Sequence, residues 1–132
     1  MDITVTLTGN LGADPEFRQT AAGLSIATFR VAVTPRWRRD NDWVDAPTTW
    51  ITVTCFRTLA TNAISSLRRG DPVLVQGRLR TSVWTSADGQ SHDRLVLEAT
   101  AVGHDLNRGT SHFTRLTDRD QSVTEAEVVA SE

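Results

Sequence analysis

The sequence predicts an all-β domain in which five strands close into a barrel, with one helix between the third and fourth strands. Three observations predict it. Polar and apolar residues alternate with period two through most of the first hundred residues. The stretch from Leu59 to Arg69 breaks that alternation with helical spacing. The 132 residues are enough for one domain with a real core plus a modest tail, and 39% of them are hydrophobic.

Each element follows from its own residues. Ile3, Val5 and Leu7 alternate with Thr4, Thr6 and Thr8, the pattern of a half-buried first strand. Asp14-Pro15 and Ala22-Gly23 mark turns. Leu24 to Pro35, rich in β-formers and small residues, makes the second strand, with Trp37 at its end. Residues 38–48 are polar and turn-rich and predict a long hairpin loop, with Trp43 and Val44 as the apolar exceptions. Thr49 to Arg57 is the third strand. Its parity places Ile51, Val53 and Cys55 on the core face and Trp50, Thr52, Thr54 and Phe56 on the open face.

Leu59, Ala63, Ile64 and Leu67 form the apolar stripe of the helix. Arg68 and Arg69 suit its negative C-terminal end, and Gly70 its C′ position. Val73 to Trp84 is the fourth strand, with Val73, Val75, Leu79, Thr81 and Val83 on one face and Gln76, Arg78, Arg80 and Trp84 on the other. Gly77 in its middle predicts a bulge or bend. Asp88-Gly89 marks a hairpin. Leu95 to Val102 is the fifth strand, with Leu95, Leu97, Ala99 and Ala101 alternating against Val96, Glu98, Thr100 and Val102. Three strands, a helix and two strands is the connectivity of an OB-fold barrel. The domain is placed at residues 1–106. Residues 107–132 are polar and aperiodic and are expected to form a short disordered tail.

Charge and composition narrow the function. All 14 basic residues are Arg. Net charge is −2, but within residues 1–106 eleven Arg balance nine Asp and two Glu, so the excess acid sits in the tail. A neutral domain binds nucleic acid if its arginines share a face and aromatics carry much of the affinity. No apolar run reaches the roughly 18 residues that span a bilayer. The start, MDITVTLTGNLG, has neither a basic n-region nor a long apolar core, so neither a signal peptide nor a membrane anchor is expected and a cytoplasmic setting is the default.

There are four Trp, four Phe and no Tyr. An isolated Trp is normally core. Here Trp50 and Phe56 lie opposite their strand's aliphatics, Trp84 shares a face with Arg78 and Arg80, and Trp37 sits inside Pro35-Arg36-Trp37-Arg38-Arg39. Exposed aromatics beside Arg suit a single-strand binder, because every base has a π-face and stacking on it is worth about 1–3 kcal/mol. Trp37, Trp50, Phe56 and Trp84 are therefore the candidate stacking residues. Arg36, Arg38, Arg39, Arg78 and Arg80, with Arg18 and Arg57 as additions, are the candidate phosphate contacts. Trp43 is either a loop base contact or an anchor that packs the loop down. Arg68 and Arg69 are as easily explained by the helix end.

Several stretches together carry a family resemblance: LTGNLGADPEFR (7–18), ATFRVAVTPRW (27–37), TWITVTCFRTLATNAISSLRRGDPVLVQGRLRTSVW (49–84) and the DGQ turn (88–90). Over about residues 1–104 the chain resembles bacterial single-stranded DNA-binding proteins. The resemblance implies an OB domain, a homotetramer, and sequence-independent wrapping of single-stranded DNA in replication, recombination and repair. It places base stacking on Trp37, Trp50, Phe56 and Trp84, in agreement with the parity. Two departures stand out. Many relatives carry basic residues where this chain has Ser82 and Val83. The typical Gly/Pro/Gln-rich linker with an acidic Pro-Phe tip is missing from the ending EAEVVASE, so recruitment of replication and repair enzymes through such a tip is not expected. The short ending resembles the tip-less second paralogues of actinobacteria.

Other chemistry has little support. His92-Asp93 and His104-Asp105 lack a third ligand at suitable spacing, so no metal is expected. No phosphate-binding loop, GxSxG or HExxH motif is present, and no catalytic residue or cofactor is expected. Gly9 and Gly12 read as strand bends. Cys55 is expected to be a buried, inert thiol; the alternative, a bridge to a second copy across a two-fold axis, is the lesser expectation. An aromatic face that docks another protein, or RNA in place of DNA, is the competing function.

Overall fold

The computed structural model describes residues 1–116, apart from the side chains of Trp37 and Asp45. Residues 117–132, including the acidic ending on which the expectation about enzyme recruitment rests, lie outside the described residues. The elements are β1 (Ile3–Leu11), β2 (Glu16–Gln19), β3 (Ser25–Val33), β4 (Arg36–Arg39), β5 (Asp42–Asp45), β6 (Thr49–Phe56), α1 (Thr58–Ser66), β7 (Pro72–Thr85) and β8 (Ser91–His104).

Five of these strands are the predicted ones, and they close on each other in the order β1-β7-β8-β6-β3. The ring is completed where Asn10 and Leu11 of β1 pair with Ala32 and Val31 of β3. Most pairs are antiparallel, but β6 and β8 run parallel, with Thr52, Val53 and Thr54 opposite Val96, Leu97 and Glu98. The interior holds the apolar face of the barrel strands: Val31, Val53, Cys55, Val73, Val75 and Leu97 have no exposed surface, and Leu11 of β1 is buried beside them. The alternation in β6 falls as its sequence predicts, with Val53 and Cys55 buried and Trp50 outside.

The helix is shorter than expected, ending at Ser66, with Leu67 as its C-cap. Ala63 and Leu67 are buried, and Leu59 and Ile64 pack against the core. Ala60, absent from the predicted stripe, is buried too. Arg68 has the predicted C-terminal role in specific form: its Nη1 donates to the carbonyls of Ile64 and Leu67, two acceptors the helix leaves unpaired, each at 2.8 Å.

The predicted irregularity at Gly77 is a β-bulge. Gln76 pairs with Ala101 and Gly77 with Ala99, so Thr100 is the extra residue on β8. The backbones approach so closely that a Cβ on Gly77 would lie 2.2 Å from the Glu98 carbonyl oxygen. The extra residue inverts the parity beyond it. Ala99 is buried, but Ala101, expected to share the face of Leu97 and Ala99, is exposed, and Val102 packs inward instead.

Three short strands were not expected. β2 pairs with the start of β3 and forms the free edge of the sheet. Trp37 does not end the second strand: β3 stops at Val33, ahead of Pro35, which has no N–H to continue the ladder. The stretch assigned to a hairpin loop is itself a ribbon, β4 paired with β5. Its two-residue turn is Asp40-Asn41, both at positive φ (51° and 69°), as a type I′ hairpin requires. Residues 107–116, assigned to the tail, carry no regular secondary structure. Among the described residues no helix is long and apolar enough to cross a membrane.

Candidate nucleic-acid interface

Strand register decides which side chains share the open face. In β2, β3, β6, β8 and β7, neighbours in that order, outward positions line up in rows across the sheet. Arg18 lies opposite Ile26, and Ile26 opposite Phe56. Thr28 pairs with Thr54, Thr54 with Glu98, and Glu98 with Arg78. Arg30 pairs with Thr52, Thr52 with Val96, and Val96 with Arg80. Along β6 the face continues to Trp50, and along the β7–β8 hairpin to Trp84, opposite His92. The structure thus places Arg18, Trp50, Phe56, Arg78, Arg80 and Trp84 on one curved surface. A groove of about 460 Å³ runs across it, lined by Arg18, Phe56 and Arg80 together with Phe17, Arg94 and both glutamates of the domain, Glu16 and Glu98.

Trp50 is 48% exposed although its strand forms the barrel wall. The indole rests on the backbone at Gly12, where an added Cβ would lie 2.5 Å from its Cζ3. Gly12 stands in the bend that follows β1, as expected, and is also the seat of an aromatic side chain. The Arg30 guanidinium lies 4.7 Å from the ring centroid, close enough for a cation–π contact. Trp84, 43% exposed, has the same kind of company. Its ring stacks on His92 with centroids 5.4 Å apart and planes 23° from parallel, and Arg94 lies 5.3 Å from its centroid. His92 Nε2 is 3.0 Å from the Ser86 hydroxyl, which helps fix the imidazole. The Ser86 hydroxyl and the Gln90 N–H also hold the Asp88 carboxyl below its usual range.

Arg30, Arg94 and His92 were not among the predicted site residues. Parity would have found the first two: Arg30 lies between the inward Phe29 and Val31, and Arg94 precedes Val96 and Glu98 by even steps. The sequence raises His92 only as a metal or acid–base candidate. Among the described residues no three of His, Cys, Asp and Glu gather to hold a metal ion. The other such histidine, His104, lies with Nε2 3.0 Å from Asp71 and Nδ1 2.6 Å from the Ser111 hydroxyl.

Not every candidate joins the sheet face. Arg36, Arg38 and Arg39 belong to the β4–β5 ribbon, where Arg36 lies 5.5 Å from the ring of Trp43. Trp43 is 63% exposed, so it does not pack its ribbon onto the barrel. Trp37 pairs through its backbone with Val44, and its side chain lies outside what is described. Arg57 stands at the junction of β6 and α1 with φ of 60°, a conformation costly to a non-glycine residue by about 1–3 kcal/mol. Its N–H donates to Ser25 and its carbonyl accepts from Thr61, which holds it there. Cys55 is wholly buried, as expected for the inert form, and burial pushes its thiol up to about 12.

A family model described as the single-strand binding protein family matches residues 3–105. A protein named single-stranded DNA-binding protein 2 from Streptomyces avermitilis is 45% identical over 118 residues, covering 88% of this chain and 73% of that one. Single-stranded DNA-binding protein 1 of Streptomyces coelicolor is 50% identical over 111 residues, 81% of this chain and 69% of its own length. The crystal structure of a small single-stranded DNA-binding protein from Streptomyces coelicolor superposes with a TM-score of 0.70 at 44% identity, covering 83% of this chain and 99% of that chain.

Proposed function

The chain belongs to the single-strand binding protein family, and from that membership we propose that it binds and protects single-stranded DNA without regard to sequence. The observation that carries this is the shared outward face, where two half-exposed tryptophans each have an arginine against the ring. Bases stack on Trp50 and Trp84, and on Phe56 in the groove at the far end of β6 from Trp50, and the strand crosses the barrel from β6 to the β7–β8 hairpin. Arg18, Arg30, Arg78, Arg80 and Arg94 contact phosphates along that path. Trp37, Arg36, Arg38 and Arg39 extend the path onto the ribbon, and Arg57 borders it. Stacking is blind to base identity, which suits a protein that coats whatever strand replication, recombination or repair exposes. The proposed activity is binding alone.

The working form is a homotetramer in the cytoplasm, associated with the nucleoid. β1 pairs with β7 along its length but with β3 only at its last two residues, so most of its other edge is open to pairing with a second copy.

Titration with oligo(dT) under intrinsic fluorescence tests the function directly, because a chain without Tyr reports almost wholly through its four Trp. Strong quenching by the single strand, little by duplex DNA and a modest salt slope is the expected result. Binding without quenching would remove the stacking mechanism.

A further inference from the structure

The arginines on the open face are not all equally available to DNA. Arg78 Nη2 lies 3.2 Å from Glu98 Oε1, and Arg80 Nη1 lies 2.5 Å from Glu98 Oε2. One carboxylate thus spans two guanidinium groups, using one oxygen for each, much as a phosphate would. The register explains the arrangement: Glu98 is directly opposite Arg78, and Arg80 lies on the next outward row of the same strand. Glu98 is 19% exposed, whereas Arg78 and Arg80 are 47% and 65% exposed, so the acid is held by the sheet while the cations reach toward solvent. Glu98 and Arg80 both line the groove that holds Phe56.

We propose that Glu98 is a built-in competitor for phosphate: it occupies Arg78 and Arg80 in the free protein and must give them up, at least in part, when a strand enters the groove. This rests on the single-strand-binding function proposed above. A carboxylate fixed on a basic face has two effects. It pre-positions both guanidinium groups, and it subtracts from the number of counterions that binding releases, because the freed carboxylate reacquires a cation as the phosphate sheds one. Asp2 lies 4.0 Å from Arg78 Nη1, but this pair is exposed on both sides and weak, so the net contribution of Arg78 and Arg80 is that of one cation, which lowers affinity and keeps the bound strand exchangeable. Glu98 is a positioning residue in this scheme and touches no base.

The test is the salt dependence of oligo(dT) binding by the full chain, native and Glu98→Gln. The amide keeps the shape and removes the charge. Glu98→Gln is expected to bind roughly three- to tenfold more tightly at low salt, with a slope of log K against log salt steeper by about 0.7, the value of one further phosphate contact to a single strand. Unchanged or weaker binding, or tighter binding without the steeper slope, overturns the proposal.

A second pair of variants does not rely on that substitution alone. In the native chain, Arg78→Gln with Arg80→Gln should flatten the slope by about 0.7, as loss of one net cation, whereas in the Glu98→Gln background the same pair should flatten it by about 1.4. A loss of about 1.4 already in the native chain shows that Glu98 does not compete. If the native chain binds no oligo(dT) at low salt, the function itself fails and this proposal with it. If it binds and the slopes do not move, only this proposal fails.

Discussion

The two faces of β6 are built from alternate residues of one eight-residue segment, yet they answer to different physics. The inward residues Val53 and Cys55 are completely removed from water, and their worth is set by packing. The outward residues Trp50, Thr52, Thr54 and Phe56 face the groove side, and Trp50 keeps nearly half its surface open although it is the largest side chain of the strand. Aromatic area left in water is a cost in the free protein. Here each exposed ring is steadied by what lies beside it, Arg30 and the bare backbone of Gly12 for Trp50, His92 and Arg94 for Trp84. Within one strand, stability and binding are therefore separable by parity, and substitutions on one face should leave the other's property nearly intact.

The largest effect expected from that separation is on the inner face. Val53→Ala removes two methyl groups from a sealed core and should destabilise the fold by about 2–3 kcal/mol, read from denaturant midpoints, while the folded fraction keeps its affinity for oligo(dT). A comparable loss of affinity in the folded protein would break the comparison. Next, Trp50→Ala should weaken single-strand binding by about 1–3 kcal/mol, the worth of one base stack, with a thermal midpoint close to that of the native chain.

The third expectation concerns pH. The Cys55 thiol is raised from 9.0 to about 12 by burial. A raised pKa stabilises the fold below the unfolded value and loses that contribution as pH rises from about 9 toward about 12, because only the unfolded chain then ionises, at about 1.4 kcal/mol per pH unit. The sequence contains neither Lys nor Tyr, so no other side-chain type ordinarily titrates in that window. Melting curves of native and Cys55→Ala protein should diverge there, with the native chain losing stability faster; parallel curves would show the thiol to be uninvolved. The smallest effect is the sharpest probe of the outer face. Gly12→Ala places a methyl group where the Trp50 indole rests. It should shift the ring and lower affinity by a few-fold, about 0.5–1 kcal/mol, with little change in stability, whereas an unchanged affinity would mean that the seat does not set the ring's position.

Much of this separation is legible in the sequence because period two is a direct statement about sidedness. TWITVTCF announces both faces, and the five barrel strands and the helix between the third and fourth follow from the same kind of pattern. What stayed hidden has physical reasons. Thr100 inverts parity beyond it, and an inserted residue carries no mark in a run of small residues such as Ala-Thr-Ala, so alternation alone puts Ala101 on the face of Leu97 and Ala99. The β2 strand, Glu-Phe-Arg-Gln, is too short to show a period and exists because β3 offers it a ladder. The ribbon of β4 and β5 is polar on composition and reads as loop, although Asp40-Asn41 are residue types that tolerate the positive φ of a tight hairpin. The pairing of one Glu with two Arg could not be read at all, since it depends on the register between β7 and β8 and not on either strand.

The parallel contact between β6 and β8 also has a kinetic meaning. It joins Thr52 to Val96, residues far apart in the chain, with the helix, all of β7 and the start of β8 in between. Hairpins form early because their partners are neighbours, whereas a join of this span forms late, after a large loss of chain freedom. Trp84 on the hairpin and Trp50 on β6 reach a common surface only when that late step is complete. A growing or partly unfolded chain therefore has no assembled strand-binding face to offer, and competence to bind arrives together with the finished barrel.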